Sequence, residues 1–285
     1  MGNGGIGGNV SGSANRKSPT AARRWRRVLA GGAPVILGLA SLDAHAAPIF
    51  AENFDGLALR PFVSPSESGG SGSDWTDVPP DTWVRDNTTT PSGGPAEFYG
   101  FTFMNKASWV ATESDQDRSQ FASGSGTVMV ADPDAYDDGD LDIEPNLFNA
   151  FMSTPPIPLA GVARGAGAGA LRFDSSFRPY DGMTASVDVS FDGGQSFSNL
   201  LTMNAGNSGG DSSLTRVNEA VSLPLDLPDD ASSMVVRFGM TNAGNDWWWA
   251  VDNIAVDAEV VPEPSGIAAL LGAAGLAALS RRRRS

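Results

Sequence analysis

Cysteine is absent from the 285 residues, and histidine occurs once, at His45. The lack of cysteine excludes a disulfide framework, a thiol nucleophile and every cysteine-based metal site. Positive charge is scarce: 19 Lys and Arg stand against 33 Asp and Glu. A helix-forming composition is missing too. The 34 Gly and 19 Pro are costly inside helices and favour turns, loops and short strands over a helical bundle. What is present is 41% hydrophobic residues, enough for a real core, so the chain as a whole is not a disordered acidic polymer.

Residues 1–46 read as a leader and signal peptide. The basic cluster Arg23-Arg24-Trp25-Arg26-Arg27 precedes an apolar run from Val28 to Leu42, which Gly31, Gly32 and Pro34 make a poor permanent span. Ala44 and Ala46 then frame a small-x-small site, so signal peptidase is expected to cut before Ala47. The arginine pairs leave both general secretion and twin-arginine export open.

At the other end, VPEPS at 261–265 is followed by IAALLGAAGLAALS at 267–280 and then by four arginines. An ordinary tail anchor accounts for the apolar helix and the basic end, but not for the Pro-Glu-Pro outside the membrane. The ordered set resembles the PEP-CTERM sorting signal, with Pro262, Glu263 and Pro264 as its motif and Arg281, Arg282, Arg283 and Arg284 as its end. The resemblance implies a Gram-negative bacterium that makes exopolysaccharide. It also implies transient anchoring in the inner membrane through a transmembrane helix, cleavage by an exosortase, and a final place at the cell surface or in the extracellular matrix.

With both ends set aside, residues 47–262 hold 31 acids against nine bases, a formal charge of −22, and neither His nor Cys. Serine triads, Cys–His dyads, His-ligated zinc and carboxylate–His triads are then unavailable. No Walker-type or Rossmann glycine motif occurs in this stretch. Nucleic acid and anionic lipid are repelled, so no nucleic-acid partner is expected. Oxygen chemistry remains, namely Ca²⁺ or Mg²⁺ binding or a two-carboxylate glycoside mechanism, and no spacing marks a catalytic pair.

Alternation is clearest over Thr184–Phe191, where Ala185, Val187, Val189 and Phe191 share one face, and over Met234, Val236, Phe238 and Met240. Further strands are expected at 48–54, 98–104, 108–112, 127–131, 170–177, 197–203, 214–223 and 247–258. The glycine run at 161–170 reads as a flexible loop, and 64–95 as a long loop pinned by Trp75 and Trp83. About ten short strands between Gly, Pro, Asn and Asp turns predict an all-β fold, a single antiparallel β-sandwich of jelly-roll type over 47–260, with the sorting segment at 261–285.

Four segments occur in order: Phe50-Ala51-Glu52-Asn53-Phe54-Asp55-Gly56, LRFDSSFRP at 171–179, VSFDGGQSF at 189–197 and AGNDWWWAVDNIAV at 243–256. Together they resemble the jelly-roll modules of bacterial surface proteins of the choice-of-anchor, cleaved-adhesin and MAM-like kind. That implies first and last strands side by side, and a role in binding or attachment rather than catalysis. In related jelly rolls a cation ties those strands together. Glu52, Asn53, Asp55, Asp174, Asp252 and Asn253 are the expected ligands of a structural Ca²⁺; surface acids paired with Arg172, Arg178 or solvent are the other reading.

Three further features carry chemistry. Ser190-x-Asp192-x-Gly194-x-Ser196-Phe197 matches the Asp-box pattern, expected as a hairpin in which Asp192 accepts main-chain N–H bonds and Phe197 returns to the core. The acidic run from Asp132 to Glu144 reads as a solvated turn or a loose Ca²⁺ loop; Tyr136 and Pro145 at ligand positions exclude an EF-hand. Trp247, Trp248 and Trp249 alternate if they lie in a strand, so burying one face exposes the other, and they are either core or a stacking platform for extracellular polysaccharide. The leading expectation is a non-enzymatic, exosortase-sorted surface or matrix protein. Its alternatives are a carbohydrate-binding module and a two-carboxylate polysaccharide-active enzyme.

Overall fold

The computed structural model describes residues 48–64, 70–138, 148–180, 182–204 and 217–261. Its strands are β1 (Phe50–Glu52), β2 (Trp75–Thr76), β3 (Val84–Asp86), β4 (Thr102–Asn105), β5 (Thr127–Ala131), β6 (Phe148–Ser153) and β7 (Ile157–Pro158). The series continues with β8 (Gly165–Phe177), β9 (Thr184–Ser190), β10 (Ser198–Asn204), β11 (Val217–Leu227), β12 (Ser233–Ala243) and β13 (Trp249–Ala258). One sheet runs β11-β8-β13-β5-β4-β2 with β1 also on β13; the other runs β10-β9-β12-β6-β3 with β7 also on β12. All pairings are antiparallel, as in a jelly-roll sandwich.

Alternation builds the space between the sheets. Met234, Val236, Phe238 and Met240 of β12 are fully buried, as are Ala185 and Val187 of β9. Phe238 reaches across to Phe173 and Trp249 of the other sheet, with ring centroids 5.5 Å and 5.8 Å away. Deleting a ring from such a contact typically costs about 3–5 kcal/mol. Trp75 and Trp83 do pin the described part of the 64–95 segment: both are buried, Trp75 under the Arg60 guanidinium at 4.1 Å and Trp83 against Phe54 at 5.6 Å. That segment also contains β2 and β3.

Two local expectations are corrected. Residues 108–112 are not a strand: Lys106–Ala111 is a helix, α1, because the Asn105 side chain caps it by accepting from the N–H groups of Ala107 and Ser108. The cap outweighs the β-preference of Trp109 and Val110. The glycine run is not a free loop from 165 onward, since Gly165–Ala170 opens β8 and pairs with β11, and its last two residues also pair with β13. At Gly169 a β-carbon would come within 3.0 Å of the Asp257 carbonyl, so small residues let the neighbouring backbone approach.

Candidate functional site

β13 changes partner halfway along its length. One flank follows β8, while the other pairs with β5 at Trp249–Val251 and with β1 at Ile254–Val256. Between these stretches the β8 register shifts, and Asn253 takes a φ of +52°, a conformation Asn tolerates better than most residues. The bulge gathers the residues expected around a cation. Asp252 lies opposite Asp174, and Asn253 Nδ2 donates to Asp174 Oδ2 at 2.8 Å. The N–H of Ser125 donates to Asp252 Oδ2 at 3.0 Å, and that of Thr127 to Asp55 Oδ1 at 2.8 Å. Glu52 and Asn53 close their own turn, accepting from the N–H groups of Phe54 and Asp55, and line a shallow groove with Asn253.

Crowded carboxylates leave an electrostatic mark here. The Asp252 carboxyl is pushed up to about 6, mainly by burial; Ser125 and Asn253 N–H groups oppose this, and the charges of Asp55 and Asp174 reinforce it. Lys106 feels the Asp252 charge, but its Nζ donates to the carbonyls of Phe121 and Gly124. The donor chemistry suits a hard cation, being oxygen throughout. Among the described residues no three acidic side chains stand close enough to hold a metal ion by themselves, so Asn53, Asn253 and main-chain oxygens would have to complete any shell.

Of the two readings of the tryptophan run, core holds for Trp248 and Trp249. β13 begins only at Trp249, so the run does not alternate across a strand. Trp248 and Trp249 are fully buried, Trp249 donating to Ser175 Oγ at 3.0 Å and Trp248 lying edge-on to Trp109 at 5.7 Å. Partly buried Trp247 has one face covered by the Arg178 guanidinium, 3.4 Å from its ring centre. Trp248 and Trp249 therefore present no stacking face, and Trp247 alone of the three keeps exposed ring surface.

The acidic run is also corrected at its start. Asp132 is wholly buried and caps the one-turn helix α2 (Pro133–Asp137). Its Oδ2 accepts from Arg118 Nη2 at 2.8 Å, Arg118 Nε at 3.2 Å and Trp109 Nε1 at 3.0 Å. Beside it the Asp134 carboxyl is pushed up to about 7, chiefly by burial. Residues 139–144 of this run lie outside the described residues, as do Ala44, Ala46, Pro262, Glu263, Pro264 and Arg281–Arg284. No helix among the described residues is long and apolar enough to cross a membrane, and the expected span at 267–280 lies outside them.

Sequence reasoning missed one surface. The Asp-box hairpin forms as expected, with Gly193 and Gly194 at positive φ and Asp192 Oδ1 accepting from the N–H groups of Gln195 and Ser196. Phe197, however, does not return to the core but stacks on Arg237 at 3.7 Å. Phe151 points outward beside them, although Phe148, Ala150 and Met152 of the same strand are buried. An apolar residue out of phase in an alternating strand was the available signal.

Fold and surfaces together define a jelly-roll β-sandwich. No protein-family model and no curated protein matches the chain. Similar solved structures include the K1 cleaved-adhesin domain of Lys-gingipain from Porphyromonas gingivalis, at 16% identity over 74% of this chain and 98% of that one, with a TM-score of 0.42. The K2 cleaved-adhesin domain of Lys-gingipain is similar at 13% identity over 73% and 98%, TM-score 0.39. A family 61 carbohydrate-binding module in complex with β-1,4-galactotriose is similar at 10% identity over 63% and 90%, TM-score 0.35.

Proposed function

We propose that this is an exported, non-enzymatic β-sandwich of the Gram-negative cell surface or exopolysaccharide matrix. Signal peptidase removes the leader, and an exosortase processes the 261–285 segment after transient anchoring in the inner membrane. A structural Ca²⁺ at the β13 bulge, drawing on Asp55, Asp174, Asp252 and the Glu52-Asn53 turn, holds the terminal strands together.

The observation that carries this reading is the pairing of the first strand with the last. Ile49 donates its N–H to the Val256 carbonyl at 2.8 Å, so the described chain enters the sandwich beside the strand by which it leaves. A module tethered at one place can present the rest of its surface outward, which suits attachment and display. Deleting 261–285 tests the sorting claim. The truncated protein is expected in the culture medium or periplasm, and unchanged surface retention overturns that claim.

A further inference from the structure

The outer face of the second sheet carries a groove of ≈ 440 Å³ between β3 and the β9–β10 hairpin. That size lies within the range of about 300–1,000 Å³ typical of small-molecule sites. Cross-strand register sets its floor. Val84, Ser153, Arg237, Asp188 and Asn199 stand in one row across five strands, and residues directly opposite share a face. A second row places Asp86 beside Phe151 and Phe151 beside Gly239. At Gly239 a β-carbon would come within 2.8 Å of the Phe151 ring, so the glycine is the seat on which that ring lies.

Arg237 is the centre of the groove. Its guanidinium is stacked between two rings, 3.7 Å from the centre of Phe197 and 5.0 Å from that of Phe151. Nη2 donates to Asp188 Oδ2 at 3.2 Å, and Asp188 Oδ1 accepts from Asn199 Nδ2 at 3.0 Å. Arg237 Nε is buried and meets no acceptor among the described residues. A buried donor without a partner is costly; the side chain as a whole keeps 29% of its area exposed and lines the groove, which leaves its terminal N–H groups within reach of a ligand oxygen. Stacking fixes the plane of the guanidinium, so its terminal N–H groups are ordered before any ligand arrives.

We propose that this groove binds a neutral polysaccharide, with ring hydroxyls accepting from Arg237 and donating to Asp86 or Asp188 while the apolar edge of a sugar packs on Phe151 and Phe197. Charge selects against an acidic polymer: two carboxylates flank one guanidinium, and residues 47–262 carry −22. A hydroxyl both donates and accepts, so a diol satisfies the arginine and the carboxylates together. The proposal rests on the surface-matrix reading and names the ligand class for it, at a site other than the tryptophans.

Affinity electrophoresis of the full chain in gels containing hydroxyethyl cellulose, galactan, mannan or dextran, with alginate as the anionic arm, tests it. Retardation by at least one neutral polymer is expected. It should weaken about tenfold in Arg237→Gln and in Phe197→Ala, each checked by an unchanged melting temperature. Phe197 lies outside the core, so that variant keeps the test open if Arg237→Gln fails to fold. No retardation by any neutral polymer, retardation by alginate alone, or full retention in a folded variant overturns the site. Surface localisation of the unaltered chain, scored separately, shows whether the broader reading has failed with it.

Discussion

Arg118 is a cation enclosed entirely by protein. It donates to Asp132 and to the Thr112 carbonyl and lies near the rings of Trp109 and Trp248, and both it and Asp132 are fully buried. Removing one partner strands the other charge, so Arg118→Ala is expected to lower stability by about 3–5 kcal/mol in urea melts. Arg118→Met combined with Asp132→Leu is expected to cost much less; equal losses would contradict the charge argument. Asp134, next to this pair, carries a carboxyl raised from the usual range to about 7 by burial and by the charges of Asp132 and Asp138. Unfolding frees it to ionise, so stability falls as pH rises from about 4 to 7 and levels off above that. Asp134→Asn should therefore gain about 1–2 kcal/mol over the parent at pH 8 and almost nothing at pH 4, as paired thermal melts will read.

Strand β13 concentrates what the elements do. Asn253 sits at positive φ where the strand passes from β5 to β1. A β-branched side chain is strained there, so Asn253→Val is expected to cost about 1–3 kcal/mol, and Asn253→Gly less, in equilibrium unfolding. Strands β9 and β12 were legible because their inward residues, Ala185 and Val187, and Met234, Val236, Phe238 and Met240, leave a period of two in the sequence. Lys106–Ala111 was not, because a single Asn cap decides its conformation. The opening of β8 was not either, because glycine and alanine leave no periodicity to read. The convergence of Glu52, Asn53, Asp174, Asp252 and Asn253 came through resemblance to other jelly rolls. Arg237 and Phe197 meet only through cross-strand register and a hairpin, which no local spacing records.

For the whole molecule, the cation claim makes a simple demand. A metal that binds only the folded sandwich raises its stability by mass action. EDTA is expected to lower the melting temperature, and Ca²⁺ to restore it. Asp252→Asn should remove the difference, and identical melts with and without chelator would refute the site. The −22 charge of residues 47–262 works against compaction, so a divalent ion bound among carboxylates would have leverage here.

The place of β13 also governs the order in which the protein can form. It touches β1, β5 and β8, and it is the last strand of the described chain. Until Trp249–Ala258 has been made, β1 has no partner in the sheet and β8 lacks its inner neighbour. A nascent chain stopped short of Trp249 therefore leaves Phe238 without the Trp249 ring that packs on it. Closure of the sandwich therefore waits on β13, and a copy terminated before Trp249 leaves apolar surface open to proteases.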